Sequence, residues 1–327
     1  MTEQRKKRER LYPMTEMLTI KEAAEFLKAQ DNILILSHAN PDGDTLGCAF
    51  GLCLALQGMG KNAKNICADK ISDRYDFMKK SLKEQDFTPQ VFVTVDVADK
   101  KLLGDFEAEY GEKIDLAIDH HLSHVNFAKR LTIEPEVAAC AQTVYKVIKE
   151  MGAEMTPDIA ACIYTGIATD SGCFKFSSVT PETHILTAEL LKYDFGFDRI
   201  NYTFFDMKTK QRVELEKKIY SDIEYYFDGR CAVVALSKEL MATVDIEDGN
   251  GISSIPRQIE GVEVGVVFKE KNDCWKASLR SNSEVDVQKI CSVFGGGGHV
   301  KAAGCSFKGI GIEEAKKQLL SEVEKAL

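Results

Sequence analysis

Apolar runs alternate with helical patterns through the first half of the chain. Continuous apolar residues predict buried strands at Asn32–His38, at Val91–Asp99 and in the run that begins at Leu116. Helical spacing of apolar residues covers Ile20–Ala29, the segment from Leu46 to Leu56, Cys140–Glu150 and residues 156–172. Strands that alternate with helices are typical of an α/β fold, and we expect a mostly parallel sheet flanked by helices.

The second half has a different pattern. Helical spacing is predicted for Glu182–Leu191 and again for Asp206–Tyr226, and a new set of short strands begins with Cys231–Ser237. A length of 327 residues is enough for two domains. We therefore expect a first domain over residues 1–200, a helical linker over 201–229 and a smaller α/β domain over 230–327.

Composition and charge exclude several classes of protein. A hydrophobic content of 44% with 28% charged residues is ordinary for a soluble globular protein. The longest apolar stretches, such as Ile33–Leu36, are far shorter than the roughly 20 residues of a membrane span. The net charge of −9 (42 minus 51) disfavours a long binding track along duplex nucleic acid. The basic run Arg5–Arg10 is interpreted as a solvated tail.

The ten cysteines are scattered and form no C-x-x-C pair. This spacing argues against a zinc knuckle and against a disulfide framework. Most of these cysteines are interpreted as small buried hydrophobic residues. Free thiols are typical of a reducing compartment, which indicates a cytoplasmic protein.

Acids and histidines collect where the predicted strands end. Parallel strands place such ends at one edge of a sheet, where α/β proteins bind their ligands. The candidate ligands are His38, Asp42, Asp44, Asp96, His120 and Asp170. Simpler interpretations stay open at this point. N-P-D-G-D is a good generic turn whose acid caps a helix, the two histidines could belong to a polar strand end, and Asp170 could serve only a turn.

The chemistry of this set favours particular metals. Imidazole and carboxylate ligands without a thiolate favour Mn²⁺ or Mg²⁺ over structural zinc. Four carboxylates exceed the need of one divalent ion, so two ions that share a carboxylate are the simplest interpretation. Enzymes that catalyse displacement at phosphorus commonly use two such ions.

Four segments together resemble a known family. HANPDGDTLG, TVDVAD, IDHH and TGIATDSGCFKF are similar, in this order, to the motifs of the DHH phosphoesterases. The resemblance implies two Mn²⁺ ions that share Asp96 and activate a water as the nucleophile. It assigns to one ion His38, Asp42 and Asp96, and to the other Asp44, Asp96, His120 and Asp170.

The resemblance also suggests roles around the metals. His121 is the candidate that stabilises or protonates the leaving group, with orientation of His120 as the alternative, and Asp119 is expected to orient the histidines. Three features depart from the commoner motifs, namely Cys48, Lys175 and the ACAQ segment that starts at Ala139. None of them removes a metal ligand, so they bear on substrate preference rather than on the chemistry.

A glycine-rich segment, FGGGGHVKAAG, lies near the end of the chain after SLRS. Successive glycines let backbone N–H groups converge on an anion, although a lone glycine run is more often a flexible loop. The two segments resemble the DHH-associated C-terminal domain, in which an arginine and a glycine-histidine loop hold the far end of the substrate. The expected substrate-binding residues are Arg280, Ser281, Gly296, Gly297, Gly298 and His299, with the active site in a cleft between the two domains.

The expected architecture matches the short two-domain members of the family. These are bacterial nano-RNases, which degrade very short oligoribonucleotides and release phosphate from 3′-phosphoadenosine 5′-phosphate. A soluble phosphodiesterase for cyclic di-AMP or its linear product is an alternative, and a nucleotide sensor without catalysis is an alternative of another class. The sequence does not fix the oligomeric state, for which a homodimer is one option.

Overall fold

The computed structural model describes residues 15–243, 251–282 and 284–327 of the chain. The chain divides into two compact units, with the boundary between Met207 and Lys208. The basic run Arg5–Arg10, which the sequence assigns to a solvated tail, lies outside the described residues.

The first unit contains a six-stranded sheet in which every pairing is parallel, in the order β1-β6-β5-β4-β2-β3. The predicted α/β class with a mostly parallel sheet is confirmed. The strands are β1 (Glu16–Met17), β2 (Ile33–Leu36), β3 (Ala63–Ile66), β4 (Val91–Val95), β5 (Leu116–Asp119) and β6 (Arg130–Ile133).

Three helices of the first unit begin after a threonine whose side chain caps them. Thr19, Thr156 and Thr180 each accept a hydrogen bond from a backbone N–H of the first turn, and proline follows the last two. The helices are α1 (Ile20–Ala29), α2 (Gly43–Gly58), α3 (Asp76–Lys79), α4 (Glu107–Tyr110), α5 (Cys140–Met151), α6 (Pro157–Asp170), α7 (Pro181–Leu190) and α8 (Phe197–Asn201).

The central strands are buried on both faces, which explains their continuous apolar sequences. Ile33 and Ile35 of β2 pack into one hydrophobic core, whereas Leu34 and Leu36 pack into a second core on the opposite face. Helix α2 is buried from Gly43 to Gln57, as expected of a helix that is apolar all round.

The second unit has a mixed six-stranded sheet in the order β11-β12-β10-β9-β8-β7, in which only β8 and β9 pair in parallel. Its strands are β7 (Glu224–Tyr226), β8 (Cys231–Leu236), β9 (Val264–Lys271), β10 (Cys274–Ser281), β11 (Gly297–His299) and β12 (Ala302–Lys308). Its helices are α9 (Lys210–Asp222), α10 (Lys238–Ala242), α11 (Val287–Val293) and α12 (Ile312–Ala326). A smaller second α/β unit was expected here and is confirmed.

The single long helix predicted over Asp206–Tyr226 is wrong in its extent. Residues Tyr202–Asp206 form a π-helical turn, Thr209 caps α9, and Glu224–Tyr226 forms strand β7. The assignment of residues 201–229 as a linker stays a prediction. Among the described residues, none of the helices combines the length and the apolar character that crossing a bilayer requires.

Candidate metal centre

The six candidate ligands come together at one edge of the first sheet. Strands β5, β4 and β2 are parallel neighbours, so their carboxyl ends lie side by side. The chain leaves these ends with His38 after β2, Asp96 after β4 and His120 after β5. Helix α2 brings Asp42 and Asp44 to the same place at its beginning, and α6 brings Asp170 at its end.

His38 presents one ring nitrogen to two acids. Its Nδ1 lies 2.8 Å from the carbonyl oxygen of Ala39, to which it donates, so Nε2 is left for another partner. That Nε2 lies 3.7 Å from Asp42 Oδ1 and 3.7 Å from Asp96 Oδ2. Burial opposes the charged ring, but the hydrogen bond and charge of Asp42 raise the pKa of His38 above its ordinary value.

Asp42 both caps a helix and faces His38. Its Oδ1 accepts the backbone N–H groups of Asp44 at 3.0 Å and Thr45 at 3.1 Å, at the start of α2. The capping interpretation therefore holds, and it fixes the carboxylate where it meets the imidazole.

Asp44 is buried against the beginning of helix α5. It accepts the N–H of Cys140 at 2.6 Å and that of Ala141 at 2.9 Å, so both oxygens meet the positive end of a helix dipole. Burial, together with the negative charges of Asp170 and Asp42, nevertheless raises the pKa of Asp44 well above its usual range. The helix end alone does not offset the cost of this buried charge.

Asp96 stands between the two histidines. Its Oδ2 lies 3.7 Å from His38 Nε2 and its Oδ1 lies 3.6 Å from His120 Nε2. The residue is 4% exposed, and Oδ1 is buried without a hydrogen-bond partner in the part of the chain that the structure describes. Its backbone adopts φ of +59°, a conformation that costs a non-glycine residue energy and is often found at functional sites.

His120 completes the second half of the cluster. Its Nε2 lies 3.5 Å from Asp170 Oδ2 and 3.9 Å from Asp44 Oδ2, besides its approach to Asp96. Its other ring nitrogen points to the carbonyl oxygen of Val137 at 3.4 Å. One imidazole nitrogen thus faces three carboxylates.

The donor set fits divalent cations. Atoms that share an ion at about 2.1 Å lie roughly 3.0 to 3.5 Å apart, close to the separations between the histidine and carboxylate atoms here. No lysine or arginine of the described ranges forms an ion pair with Asp42, Asp44, Asp96 or Asp170. Burial and the neighbouring acids, Asp44 first, raise the pKa of Asp96 well above its usual range. The cluster therefore lacks a permanent positive charge, which bound metal ions would supply.

Asp119 and His121 form a second layer behind the ligands. The Oδ1 atom of Asp119, which is fully buried, accepts a hydrogen bond of 2.8 Å from His121 Nδ1 and one of 2.7 Å from the N–H of His120. The side chain of His121 is 43% exposed, so it can meet a substrate. Its pKa is raised mainly by the hydrogen bond to Asp119, although burial opposes this.

The expected substrate-binding residues lie in the second unit. Arg280 and Ser281 end strand β10, and three of the others, Gly297, Gly298 and His299, form β11 beside β12. A Cβ on Gly296 would lie 2.2 Å from the carbonyl oxygen of Gly304, so this glycine is required for close packing. The glycine run is thus part of a sheet edge rather than a free loop.

Sequence reasoning missed the donors that hold Asp44, since backbone N–H groups have no signature in the sequence. The atypical ACAQ segment was a signal, because its Cys140 and Ala141 supply these donors. Cys48, the other departure, is buried with its Sγ 3.5 Å from Asp44 Oδ1, whereas Lys175 is exposed.

The chain is similar to known proteins over most of its length. The family described as "DHH family, N-terminal domain" matches residues 32–167, and the DHHA1 domain matches residues 237–327. The bifunctional oligoribonuclease and PAP phosphatase of Thermus thermophilus is 32% identical over 317 residues, which cover 93% of each chain.

Solved structures share the fold. An exopolyphosphatase-related protein from Bacteroides fragilis has a TM-score of 0.82 at 27% identity, and the match covers 94% of this chain and 95% of that one. RecJ from Thermus thermophilus, solved in complex with Mn²⁺, has a TM-score of 0.52 at 14% identity, over 94% of this chain and 54% of RecJ. The second likeness concerns the fold alone.

Proposed function

This chain belongs to the DHH family of phosphoesterases and is a hydrolase, and we propose that it hydrolyses phosphoester bonds of short nucleotide substrates with two divalent metal ions. The proposed substrates are very short oligoribonucleotides and 3′-phosphoadenosine 5′-phosphate. The observation that carries the proposal is the convergence of six ligand residues around Asp96, whose two oxygens face two different histidines. The name of the Thermus thermophilus relative supports the substrate class.

The proposed metal sites follow the two halves of the cluster. His38, Asp42 and Asp96 would hold one ion, and the other would be held by Asp44, Asp96, His120 and Asp170. Oxygen-rich ligation with imidazole supports manganese, with magnesium as the alternative. When bound, the ions would lower the pKa of water and stabilise negative charge on the phosphoryl group.

The chain's own residues would position and complete the reaction. Asp44 is fixed by two N–H groups of α5, so its position is already set before any ion binds. His121 is exposed and carries a raised pKa, which suits a group that donates a proton to the departing oxygen. Asp119 would keep the His121 ring oriented through the 2.8 Å hydrogen bond to Nδ1.

A side-by-side turnover assay tests this function. Purified protein with Mn²⁺ or Mg²⁺ is given short RNA of graded length, 3′-phosphoadenosine 5′-phosphate, cyclic di-AMP and pyrophosphate. We expect phosphate release or cleavage from the first two, and fastest with Mn²⁺. Preferred cleavage of cyclic di-AMP would replace the proposed substrate, and binding without any turnover would point to a sensor.

The Asp96→Asn variant tests the metal sites within this assay. Removal of the shared charge should reduce turnover by several orders of magnitude while the protein remains folded. Asp105→Asn, a change of an exposed acid in the same unit, should retain activity and serves as the control. Near-normal activity of Asp96→Asn would refute the shared-carboxylate assignment.

A further inference from the structure

A row of facing residues crosses the second sheet at Arg280. Gly265 of β9 and Ala302 of β12 lie directly opposite Arg280, and His299 of β11 lies opposite Ala302. Residues that oppose each other across neighbouring strands project from the same face of a sheet. Arg280 and His299 therefore share a face of the sheet. Their strands are separated by β12, which places only the small side chain of Ala302 between them.

A second arginine packs onto this row from outside the sheet. Arg257 lies in a short 3₁₀ turn, Pro256–Gln258, directly over Gly265. A Cβ on Gly265 would lie 2.6 Å from the backbone nitrogen of Arg257 and 3.1 Å from its Cβ. The missing side chain at Gly265, which faces Arg280, is thus what lets Arg257 approach Arg280.

Within the described ranges, neither guanidinium group has an acidic partner. Arg257 donates from one terminal nitrogen to Asn282 Oδ1 at 3.0 Å, while its Nε is buried without a hydrogen-bond partner in the described part of the chain. Arg280 donates only to the carbonyl oxygen of Leu279, at 2.9 Å, among the described residues. Neither forms an ion pair with a carboxylate there. Burial and the charge of Arg257 lower the pKa of Arg280, as expected for two cations held close together.

The neighbouring row carries only small residues beside these charges. Gly304 of β12 lies opposite Ser278 of β10 on one side and Gly297 of β11 on the other. These residues share the face of Arg280, because they lie two positions along each strand. Part of a ligand can therefore lie flat on the sheet while its charged group meets the arginines.

We propose that Arg257 is a further substrate-binding residue, which together with Arg280 forms a two-guanidinium site for a phosphate group of the nucleotide. This rests on the proposed function, since it assigns the anion to the substrate. Planar guanidinium groups bind phosphate oxygens in pairs, and an anion between them relieves the repulsion of two partly buried cations. Arg257 was not predicted as a site residue, because its sequence context is typical of a surface turn.

Equilibrium binding to the full-length, metal-free protein tests this site. Titrations with 3′-phosphoadenosine 5′-phosphate, AMP and adenosine are compared for the wild type, Arg257→Gln and Arg257→Lys. We expect Arg257→Gln to weaken binding of both phosphate ligands about 10- to 100-fold, the effect of one lost charge-assisted contact, and to leave adenosine unchanged. The affinity of Arg257→Lys for the phosphate ligands should lie between those of the wild type and Arg257→Gln, because lysine keeps the charge but not the paired donors.

The matched control is Lys289→Gln, which removes one positive charge from an 85% exposed side chain of the same unit. It should bind all three ligands as the wild type does. Equal phosphate binding by Arg257→Gln and the wild type would overturn the proposal, as would a lowered melting temperature with unchanged affinity, which would make Arg257 a structural residue. Absence of any phosphate binding to the wild type would overturn it too.

The outcome is separable from that of the proposed function. Turnover by the wild type with Mn²⁺, combined with unaffected binding in Arg257→Gln, would keep the function and reject the site. Loss of phosphate binding in Arg257→Gln, combined with no turnover of any substrate by the wild type, would keep the site and reject the function.

Discussion

Asp96 combines backbone strain, burial and repulsion by other acids in one residue. It is held at φ of +59°, is 4% exposed and keeps one oxygen without a partner in the described part of the chain. Four other acids, Asp44 first among them, act on it electrostatically. A buried carboxylate without a compensating charge costs free energy of folding. The metal-free protein should therefore be destabilised by the residue that its proposed chemistry needs most.

Replacing Asp96 by asparagine should raise the stability of the metal-free protein. The amide keeps the shape but removes a buried charge among acids, so we expect a gain of about 1 kcal/mol in the free energy of unfolding. Thermal or urea unfolding in the presence of a chelator measures this. Asp105→Asn, on an exposed site, should show no gain. A less stable Asp96→Asn protein would contradict the charge argument.

The pair of His121 and Asp119 makes a prediction about pH. The hydrogen bond that His121 donates to Asp119 is the main cause that raises the pKa of His121, so its proton is retained to higher pH. Asp119→Asn removes this cause, and the alkaline limb of the kcat profile should move to lower pH. The Asn oxygen can still accept the N–H of His120, which preserves the local backbone.

The measurement is kcat against pH at saturating substrate and fixed Mn²⁺. Bound metal acts on His121 in both proteins, so the difference between them isolates Asp119. An unshifted alkaline limb would exclude His121 as the group that titrates there.

At the scale of elements, contact between α2 and α6 sets the distance between two ligands. A Cβ on Gly47 of α2 would lie 2.4 Å from the carbonyl oxygen of Cys162, and one on Gly166 of α6 would lie 2.8 Å from Asp44 Oδ1. The helices therefore approach with their backbones almost in contact. This places Asp44, at the start of α2, beside Asp170, at the end of α6.

Gly166→Ala should damage both packing and the metal site. The added methyl group would meet Ala141 Cβ at 2.6 Å as well as the Asp44 carboxylate, and such overpacking costs roughly 1–3 kcal/mol. Unfolding and Mn²⁺ titration should both report the change. Gly58→Ala, at the end of α2 with no atom within 4 Å of the new Cβ, is the control and should be neutral or slightly stabilising. Equal effects of the two changes would contradict the packing argument.

Many elements could be predicted because their local signals agree with their environment. The helix Ile20–Ala29 has a capping threonine and a capping-box glutamate, and Val91–Val95 is apolar because both of its faces are buried. The extent of the helix after Asp206 was wrong, because local helical spacing does not reveal that Glu224–Tyr226 pairs with β8. Tertiary pairing decided that segment.

The candidate site was predictable to the degree that polar side chains at strand ends are visible in a sequence. His38, Asp96 and His120 could be grouped because parallel strands end at one edge, and the structure brings them together. The order of the strands, the N–H donors to Asp44 and the approach of Arg257 to Arg280 depend on packing between distant segments. No local pattern encodes them.

At the scale of the whole molecule, all six candidate ligands belong to the unit that ends at Met207, whereas Arg280 and His299 belong to the other. Metal ions alone, and phosphate ligands added without metal, should therefore stabilise different units. A ligand present at 100 times its Kd adds about 2.7 kcal/mol to the native state that binds it.

Hydrogen exchange read by mass spectrometry tests this separation. Adding Mn²⁺ should slow exchange in β4, β5 and the start of α2 and leave β10 and β12 unchanged. Protein in metal-free buffer with a chelator gives the reference. The Asp96→Asn variant should lose most of the protection that Mn²⁺ provides. Equal protection of both sheets by Mn²⁺ would contradict the assignment of the ligands to one unit.

The spread of the ligands along the chain has a consequence for biosynthesis. His38 is the first of them and Asp170 the last, and β4, which carries Asp96, pairs with β2 far before it as well as with β5 after it. A growing polypeptide on the ribosome would carry the early acids for some time without the helix that completes the set. Tight capture of metal should thus be a late event, which follows docking of Pro157–Asp170 instead of guiding the nascent chain.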